Sequence, residues 1–281
     1  MTPTLILPPR FSDDSNALWR AAIALGWNIE RLQSWRVPEG FAHQGEVAIY
    51  GESLWANFVA EQLQLKLFEP PLDWLARLPA QFLGRRVEFC TLNEAREKPF
   101  PLFVKPAGEK SFPAQVYNSP QELPPDDDAQ ESVWVLCSEV VEWEIEYRFF
   151  VRAGQIETGS SYWRGENSTL LDGLYQAPDA EMKAAREFVS RVLLKEEKKK
   201  RGFGWHGAVI DVGIISGFGW AVVEANPAFA SGIYGCDPER VLETVKACLY
   251  RERGDHHLAP MSSAPSESSG LELDLPFGEM P

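Results

Sequence analysis

Residues 206–230 read HGAVIDVGIISGFGWAVVEANPAFA, two apolar β-branched runs around Ser216-Gly217-Phe218-Gly219. Runs of this length joined by a glycine-bearing turn form a β-hairpin, and Gly at the first central position fits a type II′ turn with Gly217 and Phe218 at the tip. That register sets Asp211 directly across from Glu224. Opposed side chains lie roughly 4.5–5.5 Å apart at Cβ, where like charges destabilise a sheet. A shared proton, a basic neighbour or a cation must offset the repulsion. Asn226, two residues past Glu224, points to the same face. Two carboxylates and an amide oxygen are hard ligands of the kind that Mg2+ takes alongside substrate phosphates. The competing reading is a half-buried hairpin whose acids face water; the apolar runs on both sides weigh against it. With no cation bound, replacing Glu224 by Gln is expected to relieve the repulsion and leave the chain as stable or slightly more so.

The chain around this hairpin is large enough for two domains or one multi-layer fold: 281 residues, 44% hydrophobic, with ten Trp. A net charge of −14 disfavours a nucleic-acid surface. Cys90, Cys137, Cys236 and Cys248 show no metal-ligand spacing and read as buried thiols of a reducing compartment. No apolar run is long enough to span a bilayer and no signal segment is visible, so a cytoplasmic protein without membrane partners is expected.

Taken in order, Thr4–Leu7 reads as a buried strand, followed by a helix capped at Ser15, a strand near Trp27–Leu32, another at Glu46–Tyr50, and a helix capped at Ser53. Strands alternating with helices make residues 1–84 a small α/β unit. Thr91 and Glu94 form a capping box for a short helix. The segment from Pro101 to Pro106 is a strand carrying Lys105, which either snorkels at the strand end or holds a phosphate. A polar loop, Ala107–Ser111, precedes a returning strand to Tyr117, and Asp126–Asp128 reads as solvated loop. Residues 132–141 read as a buried strand running straight into Glu142-Trp-Glu144-Ile-Glu146-Tyr-Arg148-Phe, where Ile145, Tyr147, Phe149 and Val151 alternate with Glu144, Glu146 and Arg148. Ala153-Gly154 returns it as Gln155–Trp163. Ala180–Leu194 is an amphipathic helix whose basic end, Lys195–Arg201, suits the helix dipole. Asp237-Pro238 starts the last helix, and the Ser-, Pro- and acid-rich composition of residues 255–281 predicts a disordered acidic tail.

A lysine strand, a polar loop, an apolar strand leading into acids, an acid-and-arginine strand and then Asp…Glu-x-Asn: this order resembles the ATP-grasp superfamily, and within it the RimK-like carboxylate–amine ligases. The resemblance covers roughly residues 1–253 and implies an α/β (α+β) ATP-grasp fold, with the N-terminal α/β domain (1–84) followed by a central subdomain (85–137) and a C-terminal subdomain (138–254) that sandwich ATP. It implies that Asp211, Glu224 and Asn226 hold one or two Mg2+ ions and that Lys105 meets the nucleotide phosphates. Ser138-Glu139-Val140-Val141 matches the hinge whose backbone pairs with adenine, and Glu142 or Glu144 the ribose ligand. Glu146-Tyr147-Arg148 matches the family's acid-x-Arg, implying that Arg148 reaches the terminal or acyl phosphate. For the earlier basic contact Arg85, Arg86 and Lys98 compete, with Arg86 favoured. The loop Ala107–Ser111 has one glycine where the family has several.

Such enzymes activate a carboxylate with the ATP γ-phosphoryl group and let an amine displace phosphate. Small-molecule or peptide acids and amines are then the expected substrates, and Tyr162 and Arg164 are candidates to receive the acceptor carboxylate. A phosphotransferase on the same fold and a nucleotide-binding module without turnover are the alternatives. No Ser-His-Asp or Cys-His arrangement is apparent, and His206 reads as structural.

Overall fold

The structure, a computed structural model, describes residues 2–41, 45–108, 111–125, 133–197 and 205–250. The acidic run Asp126–Asp128, the end of the basic run at Lys198–Arg201, part of the polar loop after Lys105 and the tail 255–281 lie outside the described residues. In chain order the elements are β1 (Thr4–Leu7), α1 (Asp13–Ala24), β2 (Asn28–Arg31), β3 (Val47–Ile49), α2 (Ser53–Gln62), β4 (Lys66–Leu67), β5 (Val87–Thr91), α3 (Leu92–Arg96), β6 (Leu102–Pro106), β7 (Gln115–Tyr117) and β8 (Trp134–Ser138). There follow β9 (Trp143–Arg152), β10 (Gln155–Arg164), β11 (Asn167–Ser168), β12 (Leu170–Leu171), β13 (Leu174–Tyr175), α4 (Asp179–Glu197), β14 (Ala208–Ile215), β15 (Gly219–Pro227), α5 (Pro238–Ala247) and β16 (Leu249–Tyr250).

The N-terminal unit is a parallel sheet in the order β2-β1-β3, as its alternation with α1 and α2 demands. The caps differ from expectation. Ser12, not Ser15, is the N-cap of α1; Ser15 closes the capping box from inside the first turn. Glu52, without a side-chain bond, precedes α2 where Ser53 is the first helical residue. Thr91 and Glu94 do form the capping box of α3, and Asp237 caps α5 ahead of Pro238.

Two antiparallel sheets follow. One runs β5-β8-β6-β7; the other, β11-β10-β9-β14-β15, carries α4 on one face. Residues 132–149, read as one continuous strand, are two strands in two sheets. β8 ends at Ser138 and β9 begins at Trp143, and the chain crosses between the sheets over residues 139–142. Alternation within each piece survives: Ile145, Tyr147, Phe149 and Val151 pack under Phe188, Val189 and Val192 of α4.

The N-terminal core is completed by the far end of the chain. Leu5, Leu18, Ala48 and Val59 share one apolar cluster with Phe229, Val241, Leu242 and Val245, and α5 packs on α1 and β3. Phe150 and Val209, on the sheet face away from α4, join the same cluster. β16 pairs with β4, tying the two ends together. All four cysteines are buried free thiols, and no helix among the described residues is long and apolar enough to cross a membrane.

Candidate active site

The β14–β15 hairpin has the expected pairing and an unexpected turn. Ile215 pairs with Gly219, so three residues form the loop, and the Phe218 N–H donates to Ile215 O at 3.0 Å. Gly217 sits third in that turn with φ +75°, a conformation that type II turns require and glycine adopts without penalty. The shorter pairing at the tip is reset by a β-bulge beyond Val212, after which Asp211 faces Glu224 and Val209 faces Asn226. The bulge has a second effect. Val222 is buried in the core, whereas the next two residues, Val223 and Glu224, both line the same cleft.

That cleft, of about 630 Å3, lies between the two antiparallel sheets. Val87, Phe103, Lys105, Val116, Leu136 and Ser138 line it from one sheet, Trp143, Val223 and Glu224 from the other, and Glu139, Val140 and Val141 from the crossing segment. The size suits a nucleotide-sized ligand, and among the described residues no hydrogen bond is made to the backbone of Val140 or Val141. Lys105, Glu139, Val140, Val141 and Glu224 are therefore brought together. Glu142 and Glu144 lie outside the cleft, and Glu144 is exposed.

Charge in the cleft is organised in pairs. Lys105 Nζ is 2.5 Å from Glu224 Oε2, and Asn226 Nδ2 donates to Glu224 Oε1 at 2.7 Å. Burial alone would raise the Glu224 pKa; the Lys105 ammonium and the Asn226 amide override it and hold the carboxyl down at about 2. Asp211, fully buried, takes the Arg148 fork on both oxygens, Nε at 2.9 Å and Nη2 at 2.6 Å. Burial pushes the Asp211 carboxyl up against the pull of Arg148. It also works against the Arg148 charge, which Asp211 nonetheless holds above its ordinary range. The offset to the like-charge pair is thus two basic neighbours, one of the three devices that the pairing requires.

Around Arg148 stand Tyr162 and Tyr234, ring centroids 4.8 Å apart and stacked, with the guanidinium carbon 5.5 and 5.0 Å from their centroids. The Tyr162 hydroxyl donates to Glu146, whose carboxyl is raised by burial against that bond. Arg164, two residues on, is on the other face: a bulge between Ser161 and Trp163 turns it toward α4, where it pairs with Glu181 at 2.5 Å. Tyr162 and Arg164 do not share a site.

Of the two adjacent arginines, the cleft takes Arg85 and not Arg86. Neighbours in extended chain point opposite ways. Arg86 is exposed and meets Glu88 at 3.3 Å, as Lys98 also does at 2.5 Å. Arg85 donates to the carbonyls of Leu83 at 3.0 Å, Val222 at 2.9 Å and Val223 at 3.2 Å, and lies over the Trp143 ring at 4.9 Å. Burial lowers its pKa to about 10. It thus clamps the very carbonyls of the bulge that aims Glu224. Nothing in the alternation of Arg85-Arg86-Val87-Glu88 marks which arginine faces inward until the opposite sheet is in place. Tyr234 was equally unmarked, since it lies in an irregular segment.

No curated protein matches the chain in sequence. Among solved structures, N5-carboxyaminoimidazole synthetase from Staphylococcus aureus is similar with a TM-score of 0.52 at 12% identity, over 88% of this chain and 77% of that one. The same enzyme complexed with ADP gives the same values, a TM-score of 0.52 and 12% identity over 88% and 77% of the two chains. A RimK domain ATP-grasp protein from Sphaerobacter thermophilus aligns with a TM-score of 0.47 and 15% identity, over 87% of this chain and 98% of the other. At such identities the likeness to the synthetase is one of fold. Residues 82–244, from just before Arg85 to the middle of α5, match the model of an ATP-grasp domain family, the second family of its clade, and the chain belongs to that ATP-grasp family.

Proposed function

We propose that the protein is an ATP- and Mg2+-dependent carboxylate–amine ligase that forms an amide or peptide bond through an acyl phosphate. One observation carries the reading: a single cleft is lined by the crossing segment Glu139–Val141, by Lys105 from one sheet and by Glu224 from the other. In it the apolar walls at Val87, Phe103, Val116 and Leu136 suit a nucleotide base, and the unpaired Val140 and Val141 backbone supplies its edge. The ribose ligand is left to the acids beside the cleft, Glu142 or Glu144.

The donor set fits a hard cation. Glu224 is held ionised, Asn226 lies against it, and Asp211 keeps a lone pair on each oxygen beyond the two that Arg148 occupies. Bound there, Mg2+ would bridge phosphate oxygens and neutralise their charge. The chain's own groups do the rest. Lys105, at the cleft wall, supplies a point charge to the phosphates, and Arg148 a rigid fork toward the transferred phosphoryl group. Glu146 and Tyr162 flank that fork. Because Asp211 fixes the guanidinium in advance, its charge needs no reorganisation as the acyl phosphate develops.

Mg-ATP should raise the melting temperature by linkage; no shift at millimolar Mg-ATP overturns the assignment. The reaction is then read from products while pools of metabolites and peptides are supplied. Amine-dependent release of ADP with free phosphate marks the ligase. ADP without free phosphate marks a phosphotransferase, and nucleotide binding with neither product marks a binding module.

A further inference from the structure

The segment joining β15 to α5 starts directly after Pro227 and passes beside Arg148. Gly232 O accepts from Arg148 Nη1 at 3.1 Å, and the Tyr234 ring lies against the same guanidinium, 5.0 Å from its carbon. Tyr234 has φ +49°, a left-handed conformation that a bulky residue keeps only where its surroundings hold it. The holding comes from the N-terminal unit. Asp14, in the first turn of α1, accepts from the Ile233 N–H at 3.3 Å. The Tyr50 hydroxyl, just past β3, donates to Ser231 O at 2.9 Å and lies 3.3 Å from the same Asp14 oxygen. Gly51 N–H donates to Phe229 O at 3.0 Å. Gly232 passes between the two charged groups: a methyl group on it would stand 3.5 Å from Asp14 Oδ2 and 3.7 Å from Arg148 Nη1.

We propose that Asp14 is a positioning residue for Arg148: its carboxylate fixes Ser231–Tyr234 to the N-terminal unit, and that segment in turn sets where the guanidinium points. The consequence for turnover rests on the reading of Arg148 as the group facing the transferred phosphoryl. Asp211 orients one edge of the guanidinium from within the sheet, and Gly232 O orients the other from a segment that the sheet does not hold. Asp14 acts as a hydrogen-bond acceptor in this role, so an amide of the same shape can replace it. A fork displaced by even about 1 Å forfeits a large part of its effect on the reacting group.

The full-length wild type, Asp14→Ala, Asp14→Asn and Tyr50→Phe are compared by three measurements. Mg-ATP affinity by calorimetry should be the same in all four, because the nucleotide cleft lies between the other two sheets. The side-chain 15Nε–1H resonance of Arg148, assigned by its loss in Arg148→Lys, should shift or broaden in Asp14→Ala and keep its place in Asp14→Asn. ADP release with the pool that stimulates the wild type should fall in kcat on the order of ten- to a hundredfold in Asp14→Ala, with the Mg-ATP KM unchanged, and stay near wild type in Asp14→Asn. An unmoved Arg148 resonance in Asp14→Ala overturns the proposal. So does an Asn variant as impaired as the Ala variant, since the charge itself would then be what matters. Should Asp14→Ala fail to fold, Tyr50→Phe decides: releasing Ser231 must move the Arg148 resonance, and an unchanged resonance counts against the linkage. If the wild type binds no Mg-ATP while Asp14→Ala still displaces Arg148, the ligase reading fails and the positioning role stands.

Discussion

The β14–β15 hairpin carries two ion pairs built in different ways. Asp211 and Arg148 are register partners on adjacent strands of one sheet, so they meet whenever that sheet forms. Lys105 and Glu224 lie 119 residues apart on separate sheets and meet only when the two walls of the cleft come together. Side-chain exposure follows the same division: 9% and 0% for Arg148 and Asp211, 19% and 29% for Lys105 and Glu224. The first pair is sealed into the fold. The second stands at the mouth of a ligand cleft, where a phosphate or a cation can compete for either partner. One hairpin therefore holds a fixed charge and an exchangeable one side by side, and phosphoryl transfer uses both kinds.

The largest expected effect comes from breaking the sealed pair on one side. Arg148→Ala leaves a fully buried Asp211 without its partner and should cost on the order of 3–5 kcal/mol in denaturant melts. Replacing both by leucine should recover much of that loss while ADP release stays abolished, which separates what the pair does for folding from what it does for chemistry. Next comes the clamp behind the exchangeable pair. Arg85→Ala frees the carbonyls of Val222 and Val223 and should cost about 1–3 kcal/mol. It should also weaken Mg-ATP binding by calorimetry, whereas Arg86→Ala should change neither.

Glu224→Gln should be milder, about 1 kcal/mol, because the pair is partly hydrated. The sign differs from what the like-charge pairing alone implies. With Lys105 on it, Glu224 contributes to stability, and removing its charge destabilises even without metal. The Glu224 pKa is lowered from 4.5 to about 2, so the contribution is fully present above 4.5 and is lost as pH falls toward 2. The stability gap between wild type and Glu224→Gln should close over that interval. A gap of constant size from neutral pH down to 2 would break the comparison. ADP release should fall sharply in the same variant. The smallest effect is reserved for Arg164→Ala. Its partner Glu181 is on α4 and its side chain is 46% exposed, so at most a few tenths of a kcal/mol and unchanged ADP release are expected.

Much of the candidate site was legible because it is carried by neighbours in sequence. Alternation separated Arg148 and Glu146 from Tyr147 and Phe149, and the two apolar runs set Asp211 across from Glu224. That pairing is present although the turn differs: a three-residue loop shortened the register by one and the bulge restored it, so two local irregularities cancelled. The type II′ turn was plausible for a glycine at that position, but the bulge depends on Arg85 holding two consecutive carbonyls from outside the hairpin. The run from 132 to 149 looked continuous because apolar strand residues read alike whichever sheet they enter. Arg85 and Arg86 were indistinguishable for a related reason, since both suit an extended chain and only the second wall of the cleft gives one of them carbonyls to bind.

By itself, then, the sequence determined the hairpins, the N-terminal α/β alternation, the caps of α3 and α5, and which acids share a strand face. These follow from backbone dihedrals and from hydrogen bonds between segments close along the chain. Tertiary structure alone decided that α5 completes the N-terminal core, that Lys105 reaches Glu224, that Arg164 leaves the site while Tyr162 stays, and that Asp14 stands within a few ångströms of the Arg148 environment. The reason is distance along the chain. A side chain's local period says which face it takes, but what lies opposite that face is set by the burial of apolar surface that distant segments share.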